Sequence, residues 1–107
     1  MLEVIGAVSA AIAIGAGAFG AHGASGQAAD WLRTGGFYQL IHAVAVVLLA
    51  KQASGPSAML LAGSVVFAAT LYMMAIGAPR WLGAITPIGG LLMIAGWLWL
   101  AWQFARR

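Results

Sequence analysis

Uncharged residues fall into four long blocks, 4–21, 34–50, 52–79 and 81–105, separated by single charges or short polar stretches. Crossing a bilayer takes roughly 20 mostly apolar residues, with about 17 at the lower end. Each block supplies that many once the longer two are trimmed. The pattern therefore predicts an all-α integral membrane protein, a compact four-transmembrane-helix bundle. The predicted helices are about 2–21, 36–51, 57–76 and 85–104, in one membrane domain of residues 1–107. A long polar loop is predicted over 22–35, with Gln27 to Leu32 as a short interfacial helix capped by Ser25 or Gly26. Ser54-Gly55 breaks the chain before helix 3, and Pro56 suits a first helical position. Pro87 belongs to the first turn of helix 4 or kinks it, because it has no N–H to donate.

Composition sharpens this picture. Hydrophobic residues make up 64% of the chain and charged residues 7%, far from the roughly 25% charge of soluble domains. Four spans consume nearly all 107 residues, which leaves no room for a second domain. The absence of cysteine excludes disulfides, thiolate catalysis and thiolate metal sites. The basic residues form no run, so the net charge of +3 gives no reason to expect a nucleic-acid partner. Block 1 ends in small residues, as a signal peptide does. It has no basic segment ahead of it, however, and it is longer than an h-region of about 7–15 residues, so it is expected to stay as helix 1.

Charge also orients the chain. With four spans Lys51, Arg106 and Arg107 share one membrane face, and Arg33 and Arg80 the other. The positive-inside tendency then places both termini in the cytoplasm. Trp31 and Trp81 mark the far interface, and Trp99 and Trp102 the near one. Asp30-Trp31-Leu32-Arg33 and Arg80-Trp81-Leu82 occupy equivalent loops, too short a match to establish a duplicated hairpin.

Helix 1 is rich in small residues, and Ala13, Ala16, Gly17 and Gly20 are spaced by four so that a neighbouring backbone can come close. The expectation is that helix 1 forms the packing centre of the bundle. The polar residues gather elsewhere. Tyr38, Gln39 and His42 share one surface of helix 2, Thr70 and Tyr72 reach the same far half on helix 3, and Thr86 opens helix 4. His22 leaves helix 1 at that face. Ser9 and Ser64 are left alone in the near half. A candidate polar pocket is thus bordered by His22, Tyr38, Gln39, His42, Tyr72 and Thr86.

An imidazole at mid-membrane depth needs partners for both nitrogens. The reading favoured for His42 is a neutral, structural hydrogen-bonding residue tied to Tyr72 or Thr70, locking helices 2 and 3. Proton handling or ligand binding is the sharper alternative. His22, at a helix end, reads as a capping or loop-fixing residue. Haem ligation by the two histidines is disfavoured by their different depths, and no carboxylate lies inside a span to form an acid–base pair. Gly15-Ala16-Gly17-Ala18-Phe19-Gly20 matches a dinucleotide-binding pattern only superficially, lacking the strand that gives it meaning. No catalytic residue, metal site or cofactor is predicted.

The segments Gly17-Ala18-Phe19-Gly20-Ala21-His22-Gly23, Thr34-Gly35 and Tyr38-Gln39-Leu40-Ile41-His42-Ala43 resemble the domain-of-unknown-function 423 family of small bacterial membrane proteins. Leu71-Tyr72, Thr86-Pro87-Ile88-Gly89-Gly90 and Gly96-Trp97 match as well, so the resemblance covers almost the whole chain. The same pattern is similar to the eukaryotic transmembrane protein 256 group. One departure is Ala68-Ala69-Thr70, where relatives often carry serine and glycine. The resemblance implies a multi-pass protein of the bacterial inner (plasma) membrane without an established activity. Three function classes compete, in this order. The first is a structural or accessory bundle that packs with itself as a homo-oligomer or with a larger membrane complex. The second is a module or minor transporter for a lipid or an unspecified small solute, working through the polar pocket. The third, a membrane enzyme, lacks a nucleophile or metal set. Membrane lipid is a partner in all three.

Overall fold

The computed structural model describes all 107 residues. It holds four helices and no strand: α1 Leu2–His22, α2 Gly26–Leu49, α3 Ser54–Ala75 and α4 Thr86–Ala105, with a short 3₁₀ helix at Arg80–Ala84. Each of the four helices is long and apolar enough to cross a membrane. They run up and down along the longest of three dimensions, 46 × 25 × 19 Å. Each packs on its neighbour in sequence: α1 on α2, α2 on α3, α3 on α4. α1 touches α3 only briefly, and the α1 and α4 backbones do not meet.

Helix 2 differs from the sequence expectation at its start. The long loop predicted over 22–35 is in fact residues 23–25, and α2 begins at Gly26, taking in the supposed interfacial helix and Thr34-Gly35-Gly36. The glycine pair does not break the helix because a peptide group left unpaired in lipid costs several kcal/mol. Both glycines are also packed. A Cβ on Gly36 would lie 3.0 Å from the Ala13 carbonyl oxygen of α1, and one on Gly35 would lie 2.7 Å from the Tyr72 ring of α3. The turn before α2 needs Gly26 at φ +61°, a left-handed conformation that glycine adopts without steric cost. Ser25 precedes it in extended conformation and makes no side-chain cap bond.

Helix 1 flanks the bundle rather than centring it. Only Gly6, Ser9, Ala13 and Gly20 of α1 are buried, a single narrow stripe laid against α2. The core lies between α2 and α3, where Ala43, Val46 and Leu60 are fully enclosed. α4 buries a similar stripe of Gly89, Met93, Gly96 and Leu100 against α3. The tightest helix crossing is here. A Cβ on Gly89 would sit 2.5 Å from the Phe67 backbone nitrogen, and one on Gly63 would sit 2.8 Å from the Gly89 carbonyl oxygen. In lipid, apolar burial gives helices little reason to associate, so close backbone packing and interhelical hydrogen bonds hold the bundle. The small residues thus act on both outer helices, and the α3–α4 crossing uses them most closely.

Pro87 lies in the first turn of α4, where its missing N–H costs nothing. The turn after α3 uses Gly77 at φ +105°.

Candidate functional site

Three polar contacts tie the four helices together at membrane depth. The first is centred on Gln39, which is 4% exposed. Its Nε2 donates to Ser9 Oγ of α1 at 2.9 Å, and its Oε1 accepts from the Tyr72 hydroxyl of α3 at 2.6 Å. One amide therefore bridges three helices. Gly35 makes this possible, because the missing side chain one turn before Gln39 leaves space for the Tyr72 ring.

The second contact belongs to His42. Its Nδ1 lies 2.6 Å from its own helix's Tyr38 carbonyl, and Trp97 Nε1 of α4 donates to its Nε2 at 3.0 Å. A carbonyl only accepts and an indole N–H only donates. Those partners assign the proton to Nδ1 and the lone pair to Nε2, a neutral imidazole. The ring also meets Trp97 edge-on at 5.8 Å, and Tyr38 packs on Phe67 at 4.9 Å. The third contact joins Thr70 and Thr86 hydroxyls at 2.6 Å. Thr70 also bonds the Val66 and Phe67 carbonyls, and Thr86 the Leu82 carbonyl.

The six residues expected to share one pocket are thus distributed. Gln39 and Tyr72 come together, with Ser9. Tyr38 and His42 line a different cleft, and Thr86 lies with Thr70. His22 is exposed at the end of α1, away from the others. His42 locks α2 to α4, not α2 to α3 as its sequence position suggested. Gln39 and His42, three residues apart, differ by only about 60° around the helix, and that offset is enough for Gln39 to reach α1 and α3 while His42 reaches α4.

Two clefts follow from this division. One, of about 250 Å³, lies between α1 and α3, with Ile5, Val8, Ile12 and Val65 beside Ser9, Gln39 and Tyr72. The other, of about 360 Å³, lies between α2 and α4 and is lined by Tyr38, His42, Phe67, Gly90, Met93, Ile94 and Trp97. No group of three or more His, Cys, Asp or Glu side chains is placed to hold a metal ion. Of the helix-packing set, Ala13 and Gly20 are buried, while Ala16 and Gly17 are partly covered. Gly17 serves through its backbone: a Cβ on Gly36 would lie 3.3 Å from the Gly17 nitrogen, while a Cβ on Gly17 itself would meet nothing.

Sequence reasoning missed Ser9, Trp97 and the Gly63–Gly89 crossing as members of the network. Ser9 was legible in principle. It falls on the same face as Gly6, Ala13 and Gly20 at helical spacing.

A profile described as "Protein of unknown function (DUF423)" matches residues 16–90. The chain belongs to this family. Its matched segment holds Gln39, His42, Tyr72 and Thr86, while Ser9 and Trp97 lie outside it. A UPF0382 membrane protein of Staphylococcus haemolyticus is 38% identical over 109 aligned positions, covering 91% of this chain and 88% of the relative. The UPF0382 membrane protein YwdK of Bacillus subtilis is 38% identical, with 89% and 88% covered. One from Haemophilus influenzae is 36% identical, with 90% and 86% covered. No solved structure matches the chain. The protein is a small multi-pass bacterial membrane protein, in a family whose description carries no catalytic or binding activity.

Proposed function

We propose that this protein is a structural or accessory bundle of the bacterial plasma membrane, packing with itself or with a larger membrane complex. The observation that carries this reading is the closed hydrogen bonding at membrane depth. Gln39, His42, Tyr72, Thr70 and Thr86 all bond to partners within the chain. Groups paired in this way fix helix positions, and in this reading the chain performs no chemistry of its own. Both termini lie in the cytoplasm, a placement supported by Lys51, Arg106 and Arg107 on that face. The eukaryotic transmembrane protein 256 group, whose signature the chain resembles, would share the same bundle.

Chemical crosslinking in native membranes tests the proposal, followed by size measurement in mild detergent. A crosslinked species larger than one chain is expected. A chain that stays monomeric at native expression, with no crosslinked neighbour, would refute it. A second reading, a lipid or small-solute module, is favoured by the aromatic cleft between α2 and α4. Purified protein in liposomes separates the two. Flux of protons or solute that depends on pH between 5.5 and 7.5 and is lost in His42→Gln, with folding intact, would favour the second reading.

A further inference from the structure

At the opposite membrane face from the expected pocket, the α2–α3 turn meets the last turns of α4. A recess of about 290 Å³ opens there, lined by Gln52, Gln103, Arg106 and Arg107 and by no apolar residue. Both guanidiniums are held in place. Arg106 lies over the Trp102 ring at 4.0 Å, and Arg107 lies over the Phe104 ring at 4.9 Å. Arg107 Nη2 also donates to the Gln52 carbonyl at 3.3 Å. A guanidinium stacked by its face keeps edge N–H groups available for an oxyanion. The third cation of this face, Lys51, is 3.7 Å from Glu3 and already has a counter-charge. Neither arginine pairs with a side-chain carboxylate.

The recess also contains an acceptor. Gln103 lines the recess, and its Oε1 is buried behind that lining with no hydrogen-bond partner, an arrangement that costs free energy until a donor reaches it. Two anion-binding donors and one orphaned acceptor define the chemistry of a guest: an anionic phosphodiester carrying a hydroxyl. Depth selects the source. Trp99 and Trp102 form the near aromatic belt, which sits at headgroup level, and basic recesses at that level attract anionic lipid headgroups. We propose that this recess binds the headgroup of an anionic phospholipid with a free hydroxyl, as in phosphatidylglycerol. A choline headgroup fits poorly, because it brings a quaternary cation towards two arginines and offers no hydroxyl to Gln103.

Native mass spectrometry of the full chain in detergent, titrated with single lipids, tests this. Phosphatidylglycerol is expected to be retained best. Phosphatidylmethanol, an anion without a hydroxyl, should follow, and phosphatidylcholine should be retained least. The double variant R106Q/R107Q is expected to lose about 30-fold in phosphatidylglycerol affinity, the scale set by two basic residues near an anionic surface. Gln103→Leu should erase the advantage of phosphatidylglycerol over phosphatidylmethanol and keep the preference for anions. Lys51→Gln should leave retention unchanged. If the double variant does not fold, R106K/R107K takes its place; it keeps the charge, loses the stacked fork, and should retain the anion preference at weaker affinity. Equal retention of phosphatidylglycerol and phosphatidylcholine would overturn the proposal, as would full retention by the double variant or by its lysine replacement. Displacement of the lipid by millimolar inorganic phosphate would show a site for free anions rather than for lipid.

Discussion

Gln39 commits both ends of its amide to other helices, so removing it strands two hydroxyls at once. Gln39→Leu is expected to destabilise the bundle by about 1–2 kcal/mol, the upper range for interhelical hydrogen bonds in membranes. Tyr72→Phe removes one bond and should cost about 0.6 kcal/mol, nearer the average. Denaturation in mixed detergent micelles compares the two. A leucine variant no weaker than the phenylalanine variant would show that Ser9 and Tyr72 find other partners. His42 makes a different prediction. A protonated ring would turn a second N–H against the Trp97 indole N–H, so the neutral form is built into the contact. The unfolded chain can protonate this imidazole and the folded contact cannot, so the melting temperature is expected to be lower at pH 5.5 than at pH 7.5. Trp97→Phe should destabilise the chain at pH 7.5 and narrow that difference. Equal melting temperatures at the two pH values in the parent would contradict this assignment. These residues were legible as polar groups needing partners, because lipid supplies none. Which partner each one takes was not legible. A lipid-facing surface is as apolar as a buried one, so the periodicity that fixes the rotation of a helix in a soluble protein is missing.

Helices α3 and α4 approach closely enough at Gly63 and Gly89 that any side chain there collides with backbone. Gly89→Leu is expected to cost at least the roughly 1–3 kcal/mol typical of overpacking, read as a lower melting temperature. Gly17→Leu provides the contrast, since a Cβ on Gly17 enters open space. It should leave the fold of one subunit intact. A change in oligomer size on Gly17→Leu would then report a contact between chains, and a loss of subunit stability would mean that Gly17 is more enclosed than its geometry shows. The number of helices, and the extents of α1 and α4 to within a residue, could be read from the blocks of uncharged residues. The start of α2 could not. Asp30, Arg33 and the Gly35-Gly36 pair read as loop, yet exposed charges fit on a helix that extends past the hydrocarbon, and both glycines are covered by neighbours. Small residues likewise marked α1 as a packing surface without saying whether it lies at the centre or the edge.

For the whole molecule, orientation is the first quantity to fix. A cytoplasm-only reporter is expected to be active when fused at the C terminus and silent when inserted at Ser25. The reverse result would invert the molecule and move the arginine recess to the outer leaflet. The row-like packing, in which each helix leans on the one before it in sequence, bears on biogenesis. A growing chain leaves the insertion machinery one helix at a time, from the N terminus. Here no helix has to wait for a distant partner: α2 can dock on α1 as it emerges, with Ser9 already receiving the Gln39 amide. The Tyr72 hydroxyl comes with α3, and the Thr86 hydroxyl and the Trp97 indole come with α4. The bundle can therefore close in the order of its synthesis, with few polar groups waiting unpaired in the lipid at any stage.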